Sequence, residues 1–166
     1  IKPVKELQKI PLEADPETFQ LEQKQVNLRS ALLQLFENRQ NWVRALAVTN
    51  QMLEMFEEAP YYLLFNKAEF LAELGKFDDA NAIIDELDEK LNDKERIKIA
   101  RAGILCEQEK EADALEIYES FDKGSRFYRQ ILHKKADIKL TLGRIKESHA
   151  DLLELLDTNI MVAVQL

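Results

Sequence analysis

The feature that most constrains this 166-residue chain is a turn that recurs at a fixed interval. Leu74-Gly75-Lys76 and Leu142-Gly143-Arg144 are two copies of it, 68 residues apart. Midway lies Gln108-Glu109-Lys110, the same slot without its glycine. Ala68, Ala102 and Ala136 repeat on the same 34-residue step, as do Phe70, Ile104 and Ile138, then Lys67, Arg101 and Lys135, then Leu63, Ile97 and Ile131. A further step of 35 residues back sets Trp42 against Phe77, Ala45 against Ala80 and Leu33 against Ala68, which marks a diverged first copy. The copies span 26–60, 61–94, 95–128 and 129–162. Self-similarity at such a period means an array in which each copy is one supersecondary unit that buries its apolar face only against its neighbours.

The unit is helical. Breaks fall near Asn41, Pro60, Gly75, Asn92, Glu109, Lys123-Gly124 and Gly143, and the segments between them carry apolar residues at helical spacing with few β-branched runs. Asp15-Pro16-Glu17 combines a cap acceptor, a proline for the first helical position and an acid at the positive helix end. From there Phe19, Val26, Leu28, Leu32, Leu35 and Phe36 continue one helix to about Asn38. Residues 1–25 are therefore a lead-in, with Pro3 and Pro11, followed by the start of a long first helix. Residues 163–166 fall where a fifth unit would begin, and are expected to start a capping helix or a truncated further repeat. Four glycines and four prolines are too few for a turn-rich β-protein, so the expected class is all-α.

Composition narrows the function. The formal net charge of −8 argues against nucleic acid as a partner, because such affinity comes mainly from cations neutralising phosphates. No apolar run approaches the length of a membrane span, so no membrane insertion is expected. The single cysteine, Cys106, can form no intrachain disulfide and no Cys-based metal cluster. That count favours a reducing cytosol and also suits a bacterial periplasm. No GxSxG, HExxH or P-loop pattern exists, so neither a catalytic residue nor a cofactor is expected. Cys106 is expected to be a packed thiol. His133 and Asp137, four residues apart, are expected to share a hydrogen bond rather than a metal. The cations Lys67, Arg101 and Lys135 are expected to pack their stems and pair with neighbouring acids such as Glu69 or Asp137. Trp42 is expected to pack at the first turn.

The helix–turn–helix period resembles the tetratricopeptide repeat family, whose pattern is W-x2-L-G-x2-Y, then A-x3-F, then P. The second copy matches through Leu64, Ala68, Leu71, Gly75, Phe77, Ala80 and Ile84. The third matches through Ala102, Leu105, Ala114, Tyr118 and Phe121, and the fourth through Leu132, Ala136, Gly143, Ser148, Leu152 and Leu155. The departures are Lys67, Arg101 and Lys135 in the leucine slot, Leu71, Leu105 and Lys139 in the aromatic slot, and a closing proline that is mostly missing.

The resemblance implies a right-handed α-α superhelix, or solenoid, whose first helices line a concave face. It also implies a non-catalytic scaffold or adaptor that binds a peptide or partner protein there. Carried over slot by slot, the groove candidates are Asn27, Ser30, Gln34 and Asn38 in the first copy and Tyr62, Phe65, Asn66, Glu69 and Glu73 in the second. The third copy supplies Arg96, Ile99, Gly103, Cys106 and Glu107, and the fourth Gln130, His133, Lys134 and Asp137. Tyr62 and Phe65 are expected to form an apolar anchor site with Ile99, flanked by Asn66 and Arg96; aromatics suit such anchors because they offer large area and few rotors. Asn66 occupies a slot that chaperone-binding members use to hold a terminal carboxylate, but Asn27, Ala31, Ala100, Gln130 and Lys134 do not rebuild that clamp. Glu37, Glu69, Glu73, Glu107 and Asp137 outnumber Arg96 and Lys134, which implies a neutral or basic ligand. Two alternatives stand beside this one. The first is a self-assembling array, a homo-oligomer joined through the apolar C-terminal segment. The second is the regulatory repeat part of a larger enzyme or of a secretion or assembly protein.

Overall fold

The computed structural model describes residues 16–164, with side chains from 20 to 156. These residues form eight α-helices and no strand: α1 (Pro16–Asn38), α2 (Trp42–Leu53), α3 (Tyr61–Glu73), α4 (Phe77–Lys90), α5 (Lys94–Glu107), α6 (Glu111–Glu119), α7 (Tyr128–Thr141) and α8 (Ile145–Val164). The protein is all-α. Every break read from the sequence falls in or beside one of the seven connections. α8 runs unbroken past 162 to Val164. The lead-in before Pro16, and the final residues 165–166, lie outside the described residues.

The repeat is written into the backbone. Among the described residues Gln40, Gly75, Glu109 and Gly143, at steps of 35, 34 and 34, are the positions with left-handed φ, at 51°, 72°, 58° and 74°. Each makes the same pair of hydrogen bonds. The Gly75 N–H donates to the Ala72 carbonyl and the Lys76 N–H to the Leu71 carbonyl, both at 2.8 Å. The equivalent bonds at the other three turns run from Gln40 to Glu37 and Asn41 to Phe36, from Glu109 to Cys106 and Lys110 to Leu105, and from Gly143 to Leu140 and Arg144 to Lys139. This is a Schellman cap, which satisfies the last carbonyls of one helix by reversing the chain through a left-handed residue. The next residue then opens the following helix: the carbonyls of Asn41, Lys76, Lys110 and Arg144 accept from Ala45, Ala80, Ala114 and Ser148. One cap both ends a helix and starts another.

Small residues sit where the paired helices cross. Ala45, Ala80, Ala114 and Ser148 are all buried, as are Leu33, Ala68, Ala102 and Ala136 in the preceding helices. In the fourth pair the crossing is direct, because the Ser148 hydroxyl donates to the Ala136 carbonyl at 2.8 Å.

The chain divides into two compact units, residues 1–89 and 90–166. In the first, α1 packs on α2 and α2 on α3. Leu33, Ala45, Val48, Met52, Leu63 and Phe70 form its core, edged by Phe36, Trp42, Leu46, Leu53 and Phe56. Trp42 does more than fill its turn: it stacks on Phe70 of α3 at 5.9 Å between ring centroids. In the second unit, α5 packs on α6, α6 on α7 and α7 on α8. Its core holds Ala102, Ala114, Leu115, Tyr118, Ile131 and Ile138.

The fourth helix pair departs from its siblings at one internal contact. Where the second and third carry Leu71 with Ile83 and Leu105 with Ile117, the fourth carries Lys139 and Asp151. Both are nearly buried, and Lys139 Nζ lies 2.7 Å from Asp151 Oδ2. An ion pair has replaced an apolar one. The Lys135 head also reaches this carboxylate, at 3.9 Å. Its acid is thus Asp151, on the opposite helix, and not the sequence neighbour Asp137.

Candidate functional site

The sequence-derived candidates divide between the two units. Tyr62, Phe65, Asn66, Glu69 and Glu73 belong to α3, in the first. Tyr62 and Glu69 are exposed, Asn66 and Glu73 half-buried, and Phe65 buried. α3 thus presents Tyr62, exposed like its neighbour Tyr61, and the exposed acid Glu69, while Phe65 is buried. Arg96 and Ile99 belong to α5, in the second unit. The Arg96 N–H is held by the side chain of Asp93, the N-cap of α5, at 3.3 Å. Ile99 is half-buried against the Ala102 and Tyr118 core.

Gln130 and His133, from the first two exposed turns of α7, are brought together. With Lys134 they line a pocket of about 460 Å³ completed by Arg126, Phe127, Arg129 and Leu155. Asp137, one turn further on, lies outside the pocket but fixes its histidine: His133 Nδ1 is 3.0 Å from Asp137 Oδ2. The pair is well exposed, and among the described residues no group of three or more His, Cys, Asp or Glu could hold a metal ion.

The connection from Ser120 to Phe127 builds the pocket rim. The Asp122 carboxylate accepts the Gly124 N–H at 2.7 Å, and the Ser125 hydroxyl accepts the Phe127 N–H at 3.2 Å. These short bonds turn the chain so that Phe127 and Arg126 meet the first turn of α7. The Arg126 guanidinium lies over the Phe127 ring at 4.6 Å and pairs with Asp93. At the base, Tyr128 Oη donates to Glu154 Oε1 at 2.8 Å, and Lys123 pairs with the same carboxylate. Those bonds from Lys123 and Tyr128 hold the Glu154 carboxyl below its ordinary range. Burial and the Glu154 hydrogen bond push the Tyr128 phenol up to about 12. α7 and α8 are thereby tied beside Leu155, the apolar wall of the pocket.

The electrostatics of the pocket run against those of the chain. Among the described residues neither Arg129 nor Lys134 has an acidic partner within 4.0 Å, and both face a depression whose floor includes Phe127 and Leu155. Such a surface can hold a carboxylate beside an apolar side chain. Cys106 is half-buried, and burial raises its thiol pKa, only partly countered by the charge of Lys134.

Sequence reasoning missed Arg126, Phe127, Arg129 and Leu155. The first three lie at or before the helix start, outside the slots that a repeat register assigns to ligand contact. The run Arg126-Phe127-Tyr128-Arg129, two aromatics between two cations, was the available signal. No known protein-family model matches the chain, and no curated protein matches it in sequence.

Proposed function

We propose that this chain is a non-catalytic, tetratricopeptide-like interaction module, in which four helix pairs wind into a right-handed superhelix and grip a peptide or a segment of a partner protein along their first helices. The observation that carries the reading is the α7 pocket. Three of its lining residues, Gln130, His133 and Lys134, occupy slots that the repeat register assigns to ligand contact. The expectation of a neutral or basic ligand is kept for α3, which carries Glu69 and Glu73 on the same helix as Tyr62. At α7 the sign reverses, because Arg129 adds to Lys134 while the charge of Arg126 is met by Asp93. The segment bound there carries an acidic residue next to an apolar one.

Titration of a fluorescent peptide with adjacent Glu and Leu residues tests this directly. Charge reversal by Lys134→Glu should weaken its binding about tenfold, a loss of about 1.4 kcal/mol. Tyr62→Ala should leave that peptide unaffected and weaken a basic peptide instead. Equal affinity for acidic and basic peptides, unmoved by either substitution, would remove the proposal.

A further inference from the structure

The first and last helices expose apolar residues that their counterparts in the other helices bury. In the first helix of each pair, one slot holds Leu28, Leu63, Ile97 and Ile131. The last three are 0%, 3% and 1% exposed, whereas Leu28 is 62% exposed. Seven residues along, Phe70, Ile104 and Ile138 are buried while Leu35 is exposed. The second helices mirror this at the opposite end. Thr49, Ile84 and Tyr118 are buried, and their counterpart Leu152 is 43% exposed.

Inside the protein these two kinds of slot cover each other. Tyr118 of α6 shares a core with Ile131 and Ile138 of α7, and Met52, one turn beyond the Thr49 slot of α2, shares one with Leu63 and Phe70 of α3. The outer face of α8 is therefore the half of this interface that α6 offers to α7, and the outer face of α1 is the half that α3 or α7 supplies. The flanking slots point the same way. Where α3, α5 and α7 carry Lys67, Arg101 and Lys135, α1 carries Leu32; where α4 and α6 carry Asp85 and Glu119, α8 carries Leu153, and its Leu156 takes the slot of Asp88 in α4 and of Leu53 in α2. Leu32, Leu153 and Leu156 are all exposed. A helical array that ends in solvent needs polar outer faces on its terminal units. In α1 and α8 this chain carries exposed leucine where most of the equivalent helix positions carry charge.

We propose that copies of this chain associate head to tail, the α8 face of one (Leu152, Leu156) seated on the α1 face of the next (Leu28, Leu35), continuing between molecules the interface that joins α6 to α7 within one. The two faces differ, so the contact is heterologous. Each added copy leaves one free face of each kind, and assembly continues until a ring closes or a filament forms.

Light scattering across a concentration series of the whole chain tests this, with circular dichroism to check that each variant keeps its helices. The wild-type mass should rise with concentration beyond that of a dimer. Leu28→Asp blocks one face and Leu152→Asp the other, so each variant alone should stay monomeric. Mixed, they should form a discrete dimer, because each retains the face that the other lacks. A monomer at every concentration, as when the chain's own first fifteen residues cover one of these faces, would overturn the proposal. So would a mixture that stays monomeric, or a dimer that survives Leu28→Asp. Neither substitution touches the α3 face or lines the α7 pocket, so peptide binding and assembly succeed or fail independently.

Discussion

Four residues do the same backbone work with different side chains. Gly75 and Gly143 enter the left-handed region without a Cβ to resist it, whereas Gln40 and Glu109 carry one. For an L-residue that conformation costs roughly 1–2 kcal/mol, partly offset because glycine loses more freedom on folding. Glu109→Gly should therefore stabilise the protein by about 0.5–1 kcal/mol. Gly75→Ala should destabilise it by about 1 kcal/mol. A Cβ at Gly75 would meet nothing within 4 Å, so any loss there is backbone strain rather than a clash. Urea midpoints at constant slope measure both. A neutral Gly75→Ala would mean that the turn relaxes and that the repeated cap does not fix the chain reversal.

At the scale of elements, the seven connections were legible because Gly, Pro and Asn punctuate the helical period. The turn at Glu109 was legible only through its neighbours 34 residues away on either side. Two things were not legible. The α7 pocket depends on how the connection at 120–127 folds back, which no periodicity reports. The ion pair between Lys139 and Asp151 looked like a lysine lost from an aromatic slot, because its partner lies twelve residues on, across a turn. That pair makes a sharp prediction. Removing one partner of a buried ion pair strands the other charge, so Asp151→Ala should cost about 3–5 kcal/mol. Glu119, 3.9 Å from Lys139 Nζ, tempers the loss toward the lower figure. The double replacement Lys139→Leu with Asp151→Ile restores the apolar residues that the second and third pairs carry in these slots and should be neutral or stabilising. Thermal unfolding of the single and double variants separates the cases. A double variant as unstable as the single would mean that the fourth helix pair is shaped around its charges rather than merely tolerating them.

For the whole molecule, the question is whether stability is pooled or local. A closed bundle shares one core, so a defect anywhere lowers the protection of every helix that exchanges through global unfolding. In a row of helix pairs, stability is close to a sum of terms for each pair and each junction, and a defect stays near its origin. The packing is sequential within each unit: α1 on α2 on α3 in one, α5 on α6 on α7 on α8 in the other. Asp151→Ala is the right probe, because it places its whole cost in the last pair. Amide hydrogen exchange should accelerate in α7 and α8 and remain unchanged in α1, α2 and α3, with α5 and α6 between. A uniform loss from α1 to α8 would mean a single cooperative core, and with it the open first-helix face on which the proposed ligand lies would have no physical basis. A graded loss would mean that the helix pairs lean on their neighbours alone, which is the condition for one copy's last pair to accept another copy's first.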